Sequence, residues 1–184
     1  MARVDTVSAG MLKKMAEAGC RIIRYGVESA SPKILENIRK GIKIEQIKFA
    51  FKETKKAGIK THATVMFGLP GETRETIKET IKFVLELNPD YAQFPAAIPY
   101  PGTEFYEEAV KNGWLKSKNW ADFDASRPSV LKYPNLTAED ISKAAKMASQ
   151  KFYLRPGYMA KKAFQIRSLK EIPQLVKGAT NVLI

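Results

Sequence analysis

Gly26-Val27-Glu28-Ser29 puts an ionisable carboxylate at the end of a β-rich run. Such a group can accept hydrogen bonds from ribose hydroxyls, as acidic residues do in dinucleotide folds. It can equally be an acid placed at a helix N-terminus to complement the dipole. Met66-Phe67-Gly68-Leu69-Pro70-Gly71-Glu72 has two glycines around a proline, a turn that lets backbone approach a ligand closely or simply reverses the chain. Phe94 to Thr103 holds three prolines, which would damage a central strand. They suit a strand end that stops pairing and offers a flat apolar surface, for instance to a purine. His62, the single histidine, falls in mid-strand on the face of Thr64 and Met66. It could line a cavity or be an interior histidine with its hydrogen bonds met. With no Gly-x-Ser-x-Gly nearby, a conventional hydrolase is disfavoured.

The elements that would position these residues alternate. Ser8 caps a helix carrying Met11, Leu12 and Met15, and Gly19 stops it. Cys20 to Val27 reads as a strand. Pro32 opens a helix through Ile34, Leu35 and Ile38, ended at Gly41. Ile44 to Ala57 is amphipathic, Ile59 to Phe67 is a second strand, and Thr73 caps a helix with Ile77, Ile81, Val84 and Leu85 on one face. Asn88-Pro89-Asp90 breaks it, and Tyr91 to Ile98 is a third strand-like run. "AEAGCRIIRYG" and "KKAGIKTHATVMFG" repeat one grammar of helix, Ala-Gly stop, strand and terminal glycine. This βα rhythm predicts parallel strands with outer helices. Ligands of such folds bind beyond the carboxyl ends of the strands, where these clusters fall.

After Gly113 the pattern changes: Trp114, Trp120 and Phe123 lie in a turn-rich stretch. Thr137 and Asp140 form a capping box before a helix through Ile141, Ala144, Ala148 and Phe152. Arg155-Pro156-Gly157 breaks that helix and a basic helical tail follows. The expected units are residues 1–113 and 114–184.

The chain's 184 residues suffice for one domain with a sizeable core. A hydrophobic fraction of 45% and a charged fraction of 27% exclude collagen-like or largely disordered chains. One cysteine, Cys20, excludes an intramolecular disulfide and any zinc or iron–sulfur site built from several cysteines of this chain. Lys and Arg outnumber Asp and Glu by 31 to 19, a formal charge of +12. Neither a signal-peptide core nor a membrane-length apolar run is visible, so the expectation is a soluble, cytoplasmic protein.

Taken together, "RVD", "AGCRIIRYGVESASPKILENIRKG", "HATVMFGLPGET" and "FPAAIPYPGTEFYE" resemble the carboxyl half of a radical S-adenosylmethionine (SAM) barrel. The stretch "FYLRPGYMAKKAFQIRSLKEIPQLVKG" is similar to the tail of B12-binding radical SAM proteins, among them anaerobic magnesium-protoporphyrin ester cyclase-like enzymes. The resemblance implies a partial (β/α)6, TIM-like barrel with an α-helical C-terminal tail. It implies that Glu28 contacts the SAM ribose and Lys40 pairs with the SAM carboxylate. Met66 and Gly68 would flank adenine, Phe94 and Ala97 would meet it through apolar contact and backbone, and Arg3 would be a polar SAM contact. Without the resemblance, Lys40 reads as a solvated helix end, and Met66 and Phe94 as core.

The complete parent implied is an iron–sulfur enzyme that cleaves SAM reductively to a 5′-deoxyadenosyl radical for substrate modification or methyl transfer. Its [4Fe–4S] cluster would need three closely spaced cysteines, and cobalamin is a candidate second cofactor. This chain lacks those cysteines, so it is expected to keep part of the SAM face, hold no metal and be inactive alone. A half barrel would expose an unpaired edge and an apolar inner face, and so bind the missing amino-terminal half, a complementary chain or a second copy. Two competing readings are a noncatalytic module for a nucleotide-like ligand, and an RNA-binding module. The latter would use Lys161, Lys162, Arg167, Lys170 and Lys177 with interleaved aromatics.

Overall fold

The computed structural model describes residues 1–124 and 127–164. The expected basic positions Arg167, Lys170 and Lys177 lie outside the described residues. Three strands, β1 (Ile22–Glu28), β2 (Lys60–Val65) and β3 (Tyr91–Gln93), form one parallel sheet in the order β1-β2-β3. Helices α2 (Pro32–Asn37) and α3 (Ile44–Lys56) cross from β1 to β2, and α4 (Arg74–Leu87) crosses from β2 to β3. Helix α1 (Ala9–Glu17) precedes the sheet, while α5 (Glu104–Lys111), α6 (Ala138–Tyr153) and α7 (Pro156–Phe164) follow it. This is the parallel sheet with outer helices that the βα rhythm predicts.

The caps work as their side chains dictate. Ser8 Oγ accepts from Met11 N, Thr73 Oγ1 from Thr76 N and Thr137 Oγ1 from Asp140 N, each relieving an orphan amide of a first turn. Proline at the first position of α2 forfeits only an amide the helix could not use.

One sheet face packs on the helices. Tyr25 lies 5.2 Å from the Phe51 ring of α3, and its hydroxyl meets Thr54 Oγ1 at 2.7 Å. Ile23, Val27, Ala63 and Val65 join it in a core with Ile47, Ile77, Ile81 and Val84. Each large aliphatic or aromatic side chain taken from water contributes about 1.5–3 kcal/mol. Leu131, Leu136, Ile141, Ala148 and Phe152 belong to the same core, so the C-terminal segment is packed onto the sheet's helices. Tyr153 of α6 also caps the free edge of β3. Its hydroxyl accepts from Ala92 N at 3.1 Å and donates to Ala92 O at 2.6 Å.

Departures from expectation have local causes. β3 stops at Gln93 rather than Ile98, because Pro95 and Pro99 have no amide to donate. Pairing returns only where Phe67 and Ala96 form an isolated bridge. Helix α5, capped by Thr103, was not expected. The other sheet face is polar rather than apolar: Arg24, Lys60 and Gln93 are exposed on it, with Ile22 the large apolar exception. No helix among the described residues is long and apolar enough to cross a membrane.

Candidate ligand site at the strand ends

The carboxyl end of β1 is bent by design. Pairing with β2 runs in register from Ile22↔Lys60 to Gly26↔Thr64, then shifts so that Glu28 meets Val65. Glu28 takes up the shift with φ 61°, a left-handed conformation that a non-glycine residue adopts only at a cost of about 1–3 kcal/mol. The strain turns its side chain back over Gly26. A Cβ on Gly26 would overlap Glu28 Oε1 and stand 3.0 Å from Lys40 Nζ, so glycine is what makes room for the carboxylate.

Lys40 arrives from the end of α2. Arg39 is left-handed (φ 49°), its amide donates to Glu36 O and that of Lys40 to Leu35 O, which is a Schellman stop. Gly41, also left-handed, sends the chain on toward α3. Lys40 Nζ donates to Glu28 Oε1 at 2.7 Å; Glu28 is 4% exposed. Its second oxygen, Oε2, is buried with no hydrogen-bond partner. A buried carboxylate oxygen without a donor costs about 1–3 kcal/mol, and a ligand hydroxyl would supply one.

Among the expected site residues, the structure brings Arg3, Glu28, Lys40 and Met66 together. Arg3 does so indirectly, since its guanidinium pairs with Asp5 and donates to Lys40 O at 2.8 Å. That pairing raises the Arg3 pKa and lowers that of Asp5. Met66, half-buried, donates its amide to Glu28 O. Gly68, Phe94 and Ala97 sit behind this group. Gly68 N donates to Glu72 Oε2, Gly68 O accepts from Tyr133, and Ile141 of α6 lies 3.1 Å from where a Cβ would be. Phe94 is core, stacked 6.3 Å from Phe67 and tilted against Phe152 at 6.0 Å. Ala97 is buried, with its amide on Phe67 O at 2.7 Å. The Phe94 and Ala97 side chains are buried behind the turn that Gly68 opens.

Sequence reasoning did not single out Glu72 and Tyr133 as partners. Glu72 is 1% exposed, and burial pushes its carboxyl up to about 7 against the opposing hydrogen bonds from the Gly68 and Leu69 amides. Burial, with the Glu72 charge nearby, also raises the Tyr133 phenol. Together they clamp both backbone groups of Gly68 and fix the turn after β2. The Gly-Leu-Pro-Gly-Glu run was a visible signal for the acid; nothing local pointed to Tyr133, 65 residues from Gly68.

Residues 2–84 match the family model described as the Radical SAM superfamily. The chain is 44% identical to an uncharacterized methyltransferase of Pyrococcus horikoshii over 163 residues, covering 89% of this chain and 35% of that protein. It is 35% identical to the anaerobic magnesium-protoporphyrin IX monomethyl ester cyclase of Rubrivivax gelatinosus, covering 53% of this chain and 18% of that one. Among solved structures it resembles the radical SAM methyltransferase TsrM of Kitasatospora setae with cobalamin and a [4Fe–4S] cluster bound. The TM-score is 0.57 at 22% identity, over 78% of this chain and 29% of that one. The chain thus spans about a third or less of the length of these relatives.

Proposed function

This chain belongs to the radical SAM superfamily, and from that premise we propose that its strand ends hold SAM within a methyltransferase-like iron–sulfur enzyme of which these residues are one part. The observation that carries the reading is the Glu28–Lys40 pair, with one carboxylate oxygen buried and unpartnered. Glu28 accepts from the ribose hydroxyls and Lys40 meets the carboxylate of the methionine moiety. Lysine suits this role as a mobile point charge that can leave one anion for another. Met66 packs on the adenine, its polarisable thioether adapting to the ring. Arg3 acts one step back, holding the Lys40 carbonyl. Gly68, Phe94 and Ala97 set the backbone that adenine meets.

SAM supplies the methyl group or the adenosyl carbon for chemistry in this family. The residues of this chain bind and orient it. They do not fit a [4Fe–4S] cluster: three thiolates are needed and the sequence has Cys20 alone, just before β1 and at the opposite end of the strand from Glu28. Cluster ligation, any cobalamin and the substrate's reaction are assigned to the rest of the enzyme. A complementary amino-terminal segment, in the same chain or another, is the partner this reading requires. Calorimetric titration with S-adenosylhomocysteine, which needs no cluster chemistry, tests the assignment.

A further inference from the structure

The polar face of the sheet carries more than the Glu28 site uses. Parallel sheets normally bury apolar side chains on both faces, and barrel interiors are filled by branched aliphatics. Here the register lays out cross-strand rows of another kind. Arg24, His62 and Tyr91 form one row; Gly26, Thr64 and Gln93 form the next, toward the strand ends. His62 and Tyr91 face the same way, their rings 6.2 Å apart. His62 is 9% exposed, and its Nε2 has no hydrogen-bond partner; neither has the buried Thr64 Oγ1. These orphans lie beside exposed, rotamer-rich Arg24 and Gln93, which can swing aside. Lys60 adds a second exposed cation one step below His62. The one acid that alternation places on this face, Glu28, is already paired with Lys40. Burial and the Arg24 charge both lower the His62 pKa, so the imidazole is neutral and able to donate or accept near pH 7.

We propose that this face binds the oxyanion end of a small organic molecule, a carboxylate or a phosphoryl or phosphonyl group, as a second ligand beside the one at Glu28. Arg24 supplies the charge and a planar fork of donors. Thr64 and His62 supply the hydrogen bonds that the structure leaves unmade. The ligand would then lie along β2, with its reacting end directed toward the Met66 turn.

The single histidine makes the test clean. Long-range 1H–15N spectra of the full chain are recorded at fixed pH and ionic strength against inorganic phosphate, methylphosphonate and acetate. At least one should move the His62 ring nitrogens saturably, and the order of affinity separates a phosphoryl from a carboxylate ligand. Arg24→Gln should weaken that binding at least fivefold, as should Thr64→Val, which keeps side-chain shape. Absence of a saturable shift at His62 with all three probes overturns the proposal. So does a shift that both variants leave unchanged, which would mark an adventitious ion only, or a packing surface for another segment. No SAM analogue is present, so the outcome is independent of the nucleoside reading.

Discussion

Lys40 Nζ lies 2.7 Å from Glu28 Oε1, although the two residues come from the end of a helix and the end of a strand twelve positions apart. Two left-handed residues, Glu28 and Arg39, bring them there, and a third, Gly41, leads the chain away. Strain at a pair that leaves one carboxylate oxygen unsatisfied is what a ligand clamp looks like, because the missing donor is left for the ligand.

Removing one partner of this pair should cost more than removing both. Lys40→Met leaves Glu28 buried and unpaired, and about 2 kcal/mol of stability should be lost. That is less than for a fully buried pair, since the Lys40 side chain is 21% exposed. Glu28→Gln in the Lys40→Met background should restore part of it. Urea denaturation of the two single variants and the double variant gives the coupling, expected at about 1 kcal/mol or more.

Glu72 should make stability fall as pH rises toward neutrality. Its folded pKa, raised from 4.5 to about 7, means that the folded state holds the proton more tightly than the unfolded one. The contribution is fully present below about 4.5 and is lost as pH rises through about 7. The shift corresponds to about 3 kcal/mol. Denaturation midpoints of the wild type between pH 5 and 8 should decline relative to those of Glu72→Gln, whose amide oxygen can still accept from Gly68 N. Parallel pH profiles would contradict this.

Tyr153→Phe should loosen the β3 edge. The hydroxyl makes both of its hydrogen bonds to Ala92, so the variant should lose about 1–2 kcal/mol. Hydrogen exchange at the Ala92 amide should rise well above any change at the amides of β1.

Gly68→Ala should destabilise by about 1–2 kcal/mol, because φ is 84° and Ile141 Cδ1 lies 3.1 Å from the new methyl. Adding Ile141→Val removes that Cδ1 contact but leaves Cγ2 3.2 Å from the new methyl, so it should recover only part of the crowding share and none of the conformational share. Thermal unfolding of single and double variants separates the two.

Much of this architecture is legible in the sequence where the determinants are local. Ser8, Thr73 and Thr137 each announce a helix that forms, and the two Ala-Gly stops mark the turns before β1 and β2. Helix α5 was equally local, with Thr103 as its cap, but the proline-rich segment before it hid the periodicity. Of the site, the resemblance supplied Glu28 and Lys40 as contacts to one ligand; that they pair with each other depends on Glu28 leaving extended geometry, which no residue preference announces. Phe94, expected at a ligand, is packed between Phe67 and Phe152, long-range neighbours that no local pattern announces. The Gly68–Tyr133 and Ala92–Tyr153 contacts join residues more than sixty apart and carry no local signal.

A SAM site with one end at Glu28, folded over Gly26 and paired with Lys40, makes its own demand on Gly26. The direct measurement is calorimetric titration of S-adenosylhomocysteine into the chain and into Gly26→Ala. The new methyl displaces the tips of Glu28 and Lys40 and loosens their ion pair, so the variant should still fold, with a stability loss of about 1–2 kcal/mol. Saturable one-to-one binding to the wild type and at least tenfold weaker binding to the variant are expected. No binding to the wild type, or equal binding to both, would contradict the SAM assignment.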